Sequence, residues 1–228
     1  MEPTELILLE GTVSAVIYRN EENGYTILRL ESDQEEEDVT VVGTMPGINP
    51  GEGLSVQGQW THHSTYGPQF KAEIVERRMP VGEKAILEYL MSGAVKGVGG
   101  VTARRLFDAF GADVLTVIEE APQRLTEVKG ITPKRAETMH QSLCMQLAMR
   151  RLLDFLAEHG LPLQIGMPLY QRYGDLALTV LRNDPYLLLE DPLYVPFPTV
   201  DQLALALGIA PDASLRLEAG LLHTLSHN

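Results

Sequence analysis

The sequence has little cysteine, no long apolar run and no basic N-terminal signal region. It has a single cysteine, Cys144, in 228 residues. No internal disulfide can form, and a reducing compartment fits this composition. No apolar run is long enough to cross a bilayer, and Glu2 and Glu5 stand where a secretory signal would be basic. We therefore expect a cytoplasmic protein with no membrane partner.

Patterns for catalysis and metal binding are also missing. There is no Gly-x-x-x-x-Gly-Lys-Ser/Thr loop, which excludes a nucleoside triphosphate site of that type. His62 and His63 are adjacent in a predicted strand and face opposite sides, and the other histidines lack partners at zinc-like spacing. We predict that this chain holds no catalytic residue, metal or cofactor and is not an enzyme by itself.

Positive charge is scarce and unevenly placed. The chain has 18 Lys and Arg against 31 Asp and Glu, a net charge of -13. Residues 1–79 hold five basic against 14 acidic residues, 80–150 hold nine against eight, and 151–228 hold four against nine. Only the middle segment is suited to a polyanion, which implies a modest, salt-sensitive affinity for DNA.

The first third of the chain has a β pattern. Five alternating or β-branched runs, at 6–18, 25–31, 39–45, 54–62 and 69–78, are separated by turn signals such as Asn-Gly at 23–24. Five strands without a strong helix predict a small closed barrel of the OB type over residues 1–79.

Aromatic side chains of this barrel are candidates for base stacking. Alternation places Trp60 and Phe70 in the core and leaves Tyr66, in the last hairpin, as the exposed candidate. Because the domain is acidic, docking of the barrel on another domain or protein is an equally open alternative.

Two glycine hairpins organise the middle of the chain. Gly97-Val98-Gly99 precedes an amphipathic helix, and Gly130-Ile131-Thr132 repeats the layout 33 positions later, with alanine six residues after the first glycine in both. Helix N-termini bind anions through unpaired N-H groups, and glycine lets a phosphate approach. The alternative is that these glycines only cap helices. The predicted DNA contacts are Lys96, Gly97, Val98, Gly99, Thr102, Arg104, Arg105, Lys129, Gly130, Thr132, Lys134 and Arg135.

A second repeat, with an offset of 63 residues, predicts two related helical units at 80–150 and 151–228. The motif Phe-Gly-Ala-Asp at 110–113 corresponds to Tyr-Gly-Asp-Leu at 173–176, and Gly97 to Gly160. The later hairpins, at 160–162 and 194–200, have lost glycines and gained prolines. We interpret them as scaffold, with Arg172 and Arg182 as the charges worth testing.

The hairpins resemble the helix-hairpin-helix motif of DNA-binding proteins, of which Gly97, Val98, Gly99 and Ala103 match the full pattern. Thr132 departs from it but can cap the helix that Pro133 begins. The order of segments, with Gly-Thr-Val at 11–13, Tyr-Gly-Pro-Gln-Phe at 66–70 and Asp-Pro-Tyr at 184–186, is similar to the N-terminal region of RecD-like bacterial DNA helicases.

That resemblance implies a 5'-to-3' superfamily 1 motor elsewhere in a longer protein, which would use ATP and Mg²⁺. The hairpins would then hold single-stranded or forked DNA for the motor in repair or recombination. Because the chain stops inside a helical run at Asn228, we expect it to be part of such an enzyme. A stand-alone junction-binding protein similar to RuvA and a protein-interaction module are the alternatives.

Overall fold

A computed structural model describes residues 6–226, so Glu2, Glu5 and Asn228 lie outside the described part. The strands are β1 Ile7–Arg19, β2 Tyr25–Glu31, β3 Val39–Thr44, β4 Gly53–His63 and β5 Gly67–Arg78. The helices are α1 Glu83–Met91, α2 Gly100–Phe110, α3 Val114–Glu120, α4 Pro133–Glu158, α5 Gly166–Tyr173, α6 Ala177–Asn183, α7 Phe197–Ala206 and α8 Ser214–Ser226. The chain divides into two compact units, Met1–Arg150 and Arg151–Asn228, and the division falls within α4. No helix in the described range has the length and hydropathy to cross a membrane.

The five strands form a closed barrel in the order β1-β2-β3-β5-β4. The long β1 pairs with β4 through its first half and with β2 through its second half, where two register shifts interrupt the pairing and bend the strand. A parallel pairing of Val41 with Phe70 closes the remaining gap. The predicted OB-like barrel is confirmed, and its core consists of Leu9, Val13, Leu28, Leu30, Val39, Val41, Met45, Ile48, Leu54, Val56 and Phe70.

The predicted burial of Trp60 is wrong, whereas that of Phe70 is confirmed. Phe70 is fully buried, but Trp60 remains 42% exposed. The two residues are partners across β4 and β5, and their rings meet edge to face with centroids 5.5 Å apart. Trp60 therefore shares the inward face, as alternation indicated, but β4 and β5 continue beyond the packed core and leave its ring partly in solvent.

The helical part of the first unit has a separate apolar core. Leu106 of α2 is fully buried, together with Leu90 of α1, Ile118 of α3 and Met139 of α4. Ala103 and Leu106 lie on the predicted inner face of α2, while Phe107 and Phe110 pack partly buried at its edge. This packing fixes the two short loops that lead into α2 and α4.

The barrel rests on these helices through the loop between β3 and β4. Gly51 lies so close to α1 that an added Cβ would be 2.2 Å from the carbonyl oxygen of Ala85. The next residue, Glu52, is only 1% exposed and forms an ion pair with Arg150 of α4 at 3.3 Å. Barrel and hairpin helices therefore form one compact unit.

The 63-residue repeat is visible in the backbone. Gly111, which follows α2, has φ 56° and ψ -136°, and Gly174, which follows α5, has φ 57° and ψ -138°. Both are followed by a single 3-10 turn and a seven-residue helix, α3 or α6. The tandem helix-hairpin-helix architecture predicted for the second half is thus confirmed.

Candidate nucleic-acid interface

The first hairpin presents an uncapped helix N-terminus. Gly97 has φ 81°, which L side chains rarely adopt, and Val98 anchors the loop in the core. Gly99 is the N-cap of α2 with φ -106°, so its backbone conformation is open to any residue. Among residues 6–226, no side chain caps α2, and a Cβ on Gly99 would meet nothing within 4 Å. The fold explains the glycine at 97, but it gives no reason for the one at 99.

The second hairpin is similar in shape but partly closed. Gly130 has φ 91°, and Ile131 is buried as Val98 is. Thr132 Oγ1 accepts a hydrogen bond from the N-H of Arg135 at 3.3 Å, which makes it the N-cap expected from the sequence. One N-H group of α4 is therefore already satisfied, and this turn has less capacity for an anion than the first.

Three lysines around the hairpins are free to meet a ligand. Lys96, Lys129 and Lys134 are exposed, and within residues 6–226 their ammonium groups have no ion pair or hydrogen bond. Lys96 is held only through its backbone, since its N-H donates to Ser142 Oγ at 2.9 Å. Their positive charge is not neutralised by neighbours in the described part of the protein.

The three arginines behave differently from the lysines. Arg104 forms an ion pair with Glu83 at the start of α1. Arg135 donates through Nη1 to the carbonyl of Gly130 at 2.7 Å and through Nη2 to the carbonyl of Gly97 at 2.9 Å. The structure thus brings the predicted site residues of both hairpins together, but it shows the guanidinium groups already engaged by the protein.

Two further contacts complete the connection between the hairpins. Arg135 Nη2 also lies 3.4 Å from Thr102 Oγ1, and Arg105 Nη1 donates to the carbonyl of Lys129 at 3.3 Å. Sequence analysis missed these bonds because they join residues 24 to 38 positions apart. No local pattern distinguishes such an arginine from one that faces solvent.

The later hairpins keep the turn but offer no comparable surface. Gly160 has a positive φ of 64°, comparable to the 81° of Gly97, but in the last hairpin the non-glycine residue Tyr194 occupies the left-handed region at φ 44°. Arg172 forms an ion pair with Glu190 at 3.0 Å, and the guanidinium of Arg182 lies 5.3 Å from the ring centre of Phe155. Both cations are thereby engaged within the second unit.

The barrel contributes one prominent exposed ring. Tyr66, in the hairpin between β4 and β5, is 74% exposed, and its ring lies 4.8 Å from that of His63. His63 Nδ1 accepts the backbone N-H groups of Thr65 and Tyr66 at 3.1 and 3.3 Å, which holds this hairpin in place. Within residues 6–226, no three His, Cys, Asp or Glu side chains are grouped to hold a metal.

Comparison with known families matches three consecutive segments of the chain. Residues 6–80 match the OB-fold domain of the ATP-dependent DNA helicase YrrC. Residues 87–143 match the SAM-like helix-hairpin-helix tandem, and residues 145–228 match the helix-hairpin-helix domain of the ATP-dependent RecD2 DNA helicase. The chain has the N-terminal domains of a RecD-like helicase.

A curated relative supports this assignment across nearly the whole chain. The ATP-dependent RecD2 DNA helicase of Deinococcus radiodurans is 32% identical over 229 aligned residues, which cover 98% of this chain. The same alignment covers only 32% of the relative. This RecD-like chain therefore spans about a third of the length of the relative, and the helicase motor is absent from it.

Proposed function

We propose that the hairpins of the first unit bind the phosphate backbone of DNA without reading its bases. The observation that carries this proposal is the open N-terminus of α2, where Gly99 leaves unobstructed space beside uncapped N-H groups. Phosphate oxygens fit such a site, and the positive end of the helix dipole favours them. Lys96, Lys129 and Lys134 add free positive charge around it.

This surface serves an ATP-dependent DNA helicase of which the chain is the N-terminal region. The hairpins hold single-stranded or forked DNA while the motor, which takes the ATP and Mg²⁺, moves along it in repair or recombination. The matches to helicase domains at both ends of the chain support this role over that of a stand-alone junction-binding protein. Cytoplasmic location follows from the same role.

The exposed ring of Tyr66 adds a base-stacking contact at the barrel. The hairpin that carries it has no Asp or Glu between Glu52 and Glu73, although the barrel as a whole is acidic. A flat ring without nearby acidic residues in sequence suits an unpaired base. Tyr66→Ala should weaken the binding of single-stranded DNA more than the binding of duplex DNA. Tyr66→Phe keeps the ring and should leave both affinities unchanged. Equal losses on the two DNAs in Tyr66→Ala would contradict stacking.

The test is fluorescence-anisotropy titration with single-stranded, duplex and forked DNA at several salt concentrations. Changing Lys96, Lys129 and Lys134 to Ala together should weaken binding for all sequences alike. The logarithm of the affinity falls as the logarithm of the salt concentration rises. Each lost phosphate contact should make this negative slope shallower by roughly 0.7 to 0.9. Lys71→Ala, which removes an exposed barrel lysine, is the control. An unchanged affinity in the triple variant, or losses that depend on base sequence, would overturn the proposal.

A further inference from the structure

The arginines between the two hairpins form a reciprocal connection. Arg105 belongs to α2, which follows the first hairpin, and it donates to the carbonyl of Lys129 in the second. Arg135 belongs to α4, which follows the second hairpin, and it donates to the carbonyl of Gly97 in the first. Each helix thus holds the turn that precedes the other helix.

We propose that Arg105 and Arg135 are positioning residues that join the two hairpins into one phosphate-binding surface of fixed spacing, and are not themselves phosphate ligands. This inference rests on the proposed function. It gives the basic residues of the site different roles. The free lysines meet DNA, and Arg105 and Arg135 hold the backbone of the two turns. Arg104, which is paired with Glu83, has neither role.

The hydrogen-bonding capacity of Arg135 supports this division. Its two terminal nitrogens serve two different carbonyls, at 2.7 and 2.9 Å, and one of them also reaches Thr102 Oγ1. A planar guanidinium can make these bonds together, whereas a lysine has a single nitrogen and cannot span both carbonyls in the same way. Binding a phosphate directly would require Arg135 to give up contacts that define both turns.

The second helical unit supplies an internal comparison. The 63-residue offset that relates α3 to α6 places Pro168 at the position of Arg105 and Pro198 at the position of Arg135. It also places Pro162 at the position of Gly99. Proline can neither donate a side-chain hydrogen bond nor provide an N-H. The unit that has lost the glycine of the open turn has therefore lost both connecting arginines as well.

The experiment compares charge-conserving and charge-removing substitutions in this chain. Arg135→Lys keeps the charge but not the bridge, so duplex or forked DNA should bind at least about fivefold more weakly, the effect of losing roughly one hydrogen bond. The salt slope should stay that of the unmodified protein, because the positive charge is kept. Lys134→Ala, at the neighbouring free lysine, should make the negative salt slope shallower. Lys134→Arg, which keeps the charge, should have the salt slope of the unmodified protein.

Backbone amide NMR gives a second readout that does not depend on DNA. Arg135→Lys should shift the amide signals of both turns, 97–99 and 130–132, although the first is far away in sequence. If Arg135→Lys binds DNA as the unmodified protein does, or shifts only signals near position 135, the positioning role is wrong. If the unmodified protein binds no DNA, the proposed function itself fails, and the NMR result still decides whether the arginines join the hairpins.

Discussion

At the scale of single residues, the two glycines of the first hairpin have different reasons to be there. Gly97 is required by its positive φ, whereas Gly99 has an ordinary φ and open space around its missing side chain. Sequence inspection treats them as one motif. The structure separates a glycine that the fold needs from one that the fold does not need, and only the proposed phosphate contact gives the second a role.

Gly99→Asn tests this separation. Asparagine is a preferred N-cap, so its side-chain carbonyl should bind the first N-H groups of α2 and leave stability unchanged or raise it by about 0.5 kcal/mol. The same hydrogen bonds would use the backbone N-H groups that we propose for phosphate, so DNA binding should weaken about tenfold. Gly82→Asn, at the N-cap of α1, is a control for the anisotropy measurement alone, because the φ of 86° at Gly82 strains any L side chain there and should lower stability. A variant that is stable and binds normally would remove Gly99 from the site.

The buried Tyr89 should make the first unit less stable as the pH rises through the alkaline range. Burial, and then the carboxylate of Glu52, raises the pKa of Tyr89 from 10.0 to about 12. Because the unfolded chain loses this proton first, the stabilisation is complete below pH 10 and is lost as pH rises toward 12. Tyr186, whose pKa is raised to about 12 mainly by burial, gives the second unit a dependence of the same sign. Tyr89→Phe should therefore reduce the slope of unfolding free energy against pH in denaturant titrations, and an unchanged slope would exclude Tyr89 as a source.

At the scale of elements, the strands and turns could be predicted because their signals are local. All five strands lie within two residues of the predicted ranges, and Asn20 Oδ1 accepts the N-H groups of Glu22 and Asn23 in the expected turn. Trp60 was misplaced because alternation gives the face of a strand but not where the barrel core ends. The role of Arg135 was missed because its partner Gly97 lies 38 positions away.

The loop between β3 and β4 makes a prediction about packing. Gly51 has φ 87°, and a Cβ there would lie 2.2 Å from the oxygen of Ala85 and 2.7 Å from the nitrogen of Tyr89. Gly51→Ala should therefore lower the unfolding free energy by about 2 kcal/mol or more. Gly67 has φ 76° but open space, so Gly67→Ala should cost about 1 kcal/mol for backbone strain alone. Equal losses in denaturant titrations would mean that the contact with α1 contributes nothing.

At the scale of the whole molecule, the first unit depends on a pair of charges contributed by distant segments. Glu52 is buried, and Asn49 donates to its Oε1 through both its backbone N-H and its side-chain amide. The other oxygen meets Arg150, whose side chain is only 16% exposed. Sequence analysis could not pair two residues that lie in different predicted domains.

Arg150→Met should lower the unfolding free energy of the first unit by about 3 kcal/mol, because it leaves the Glu52 carboxylate buried without a counter-charge. The double variant Glu52→Gln with Arg150→Met should recover much of that loss, since the remaining amide is neutral. Urea unfolding of the three proteins measures both effects. A loss below about 1 kcal/mol in the single variant, or no recovery in the double variant, would contradict a coupled buried pair.

The buried pair also decides where this protein can be cut for study. The family match to the helix-hairpin-helix tandem ends at residue 143, which makes that position an obvious end for a minimal fragment with the barrel. Such a fragment would lack Arg150, although it would contain every residue of both hairpins. A fragment continued to the end of the first compact unit, at Arg150, keeps the counter-charge. Dissection guided by homology alone would thus yield an unstable piece, and its failure to bind DNA would be misread as evidence about the hairpins.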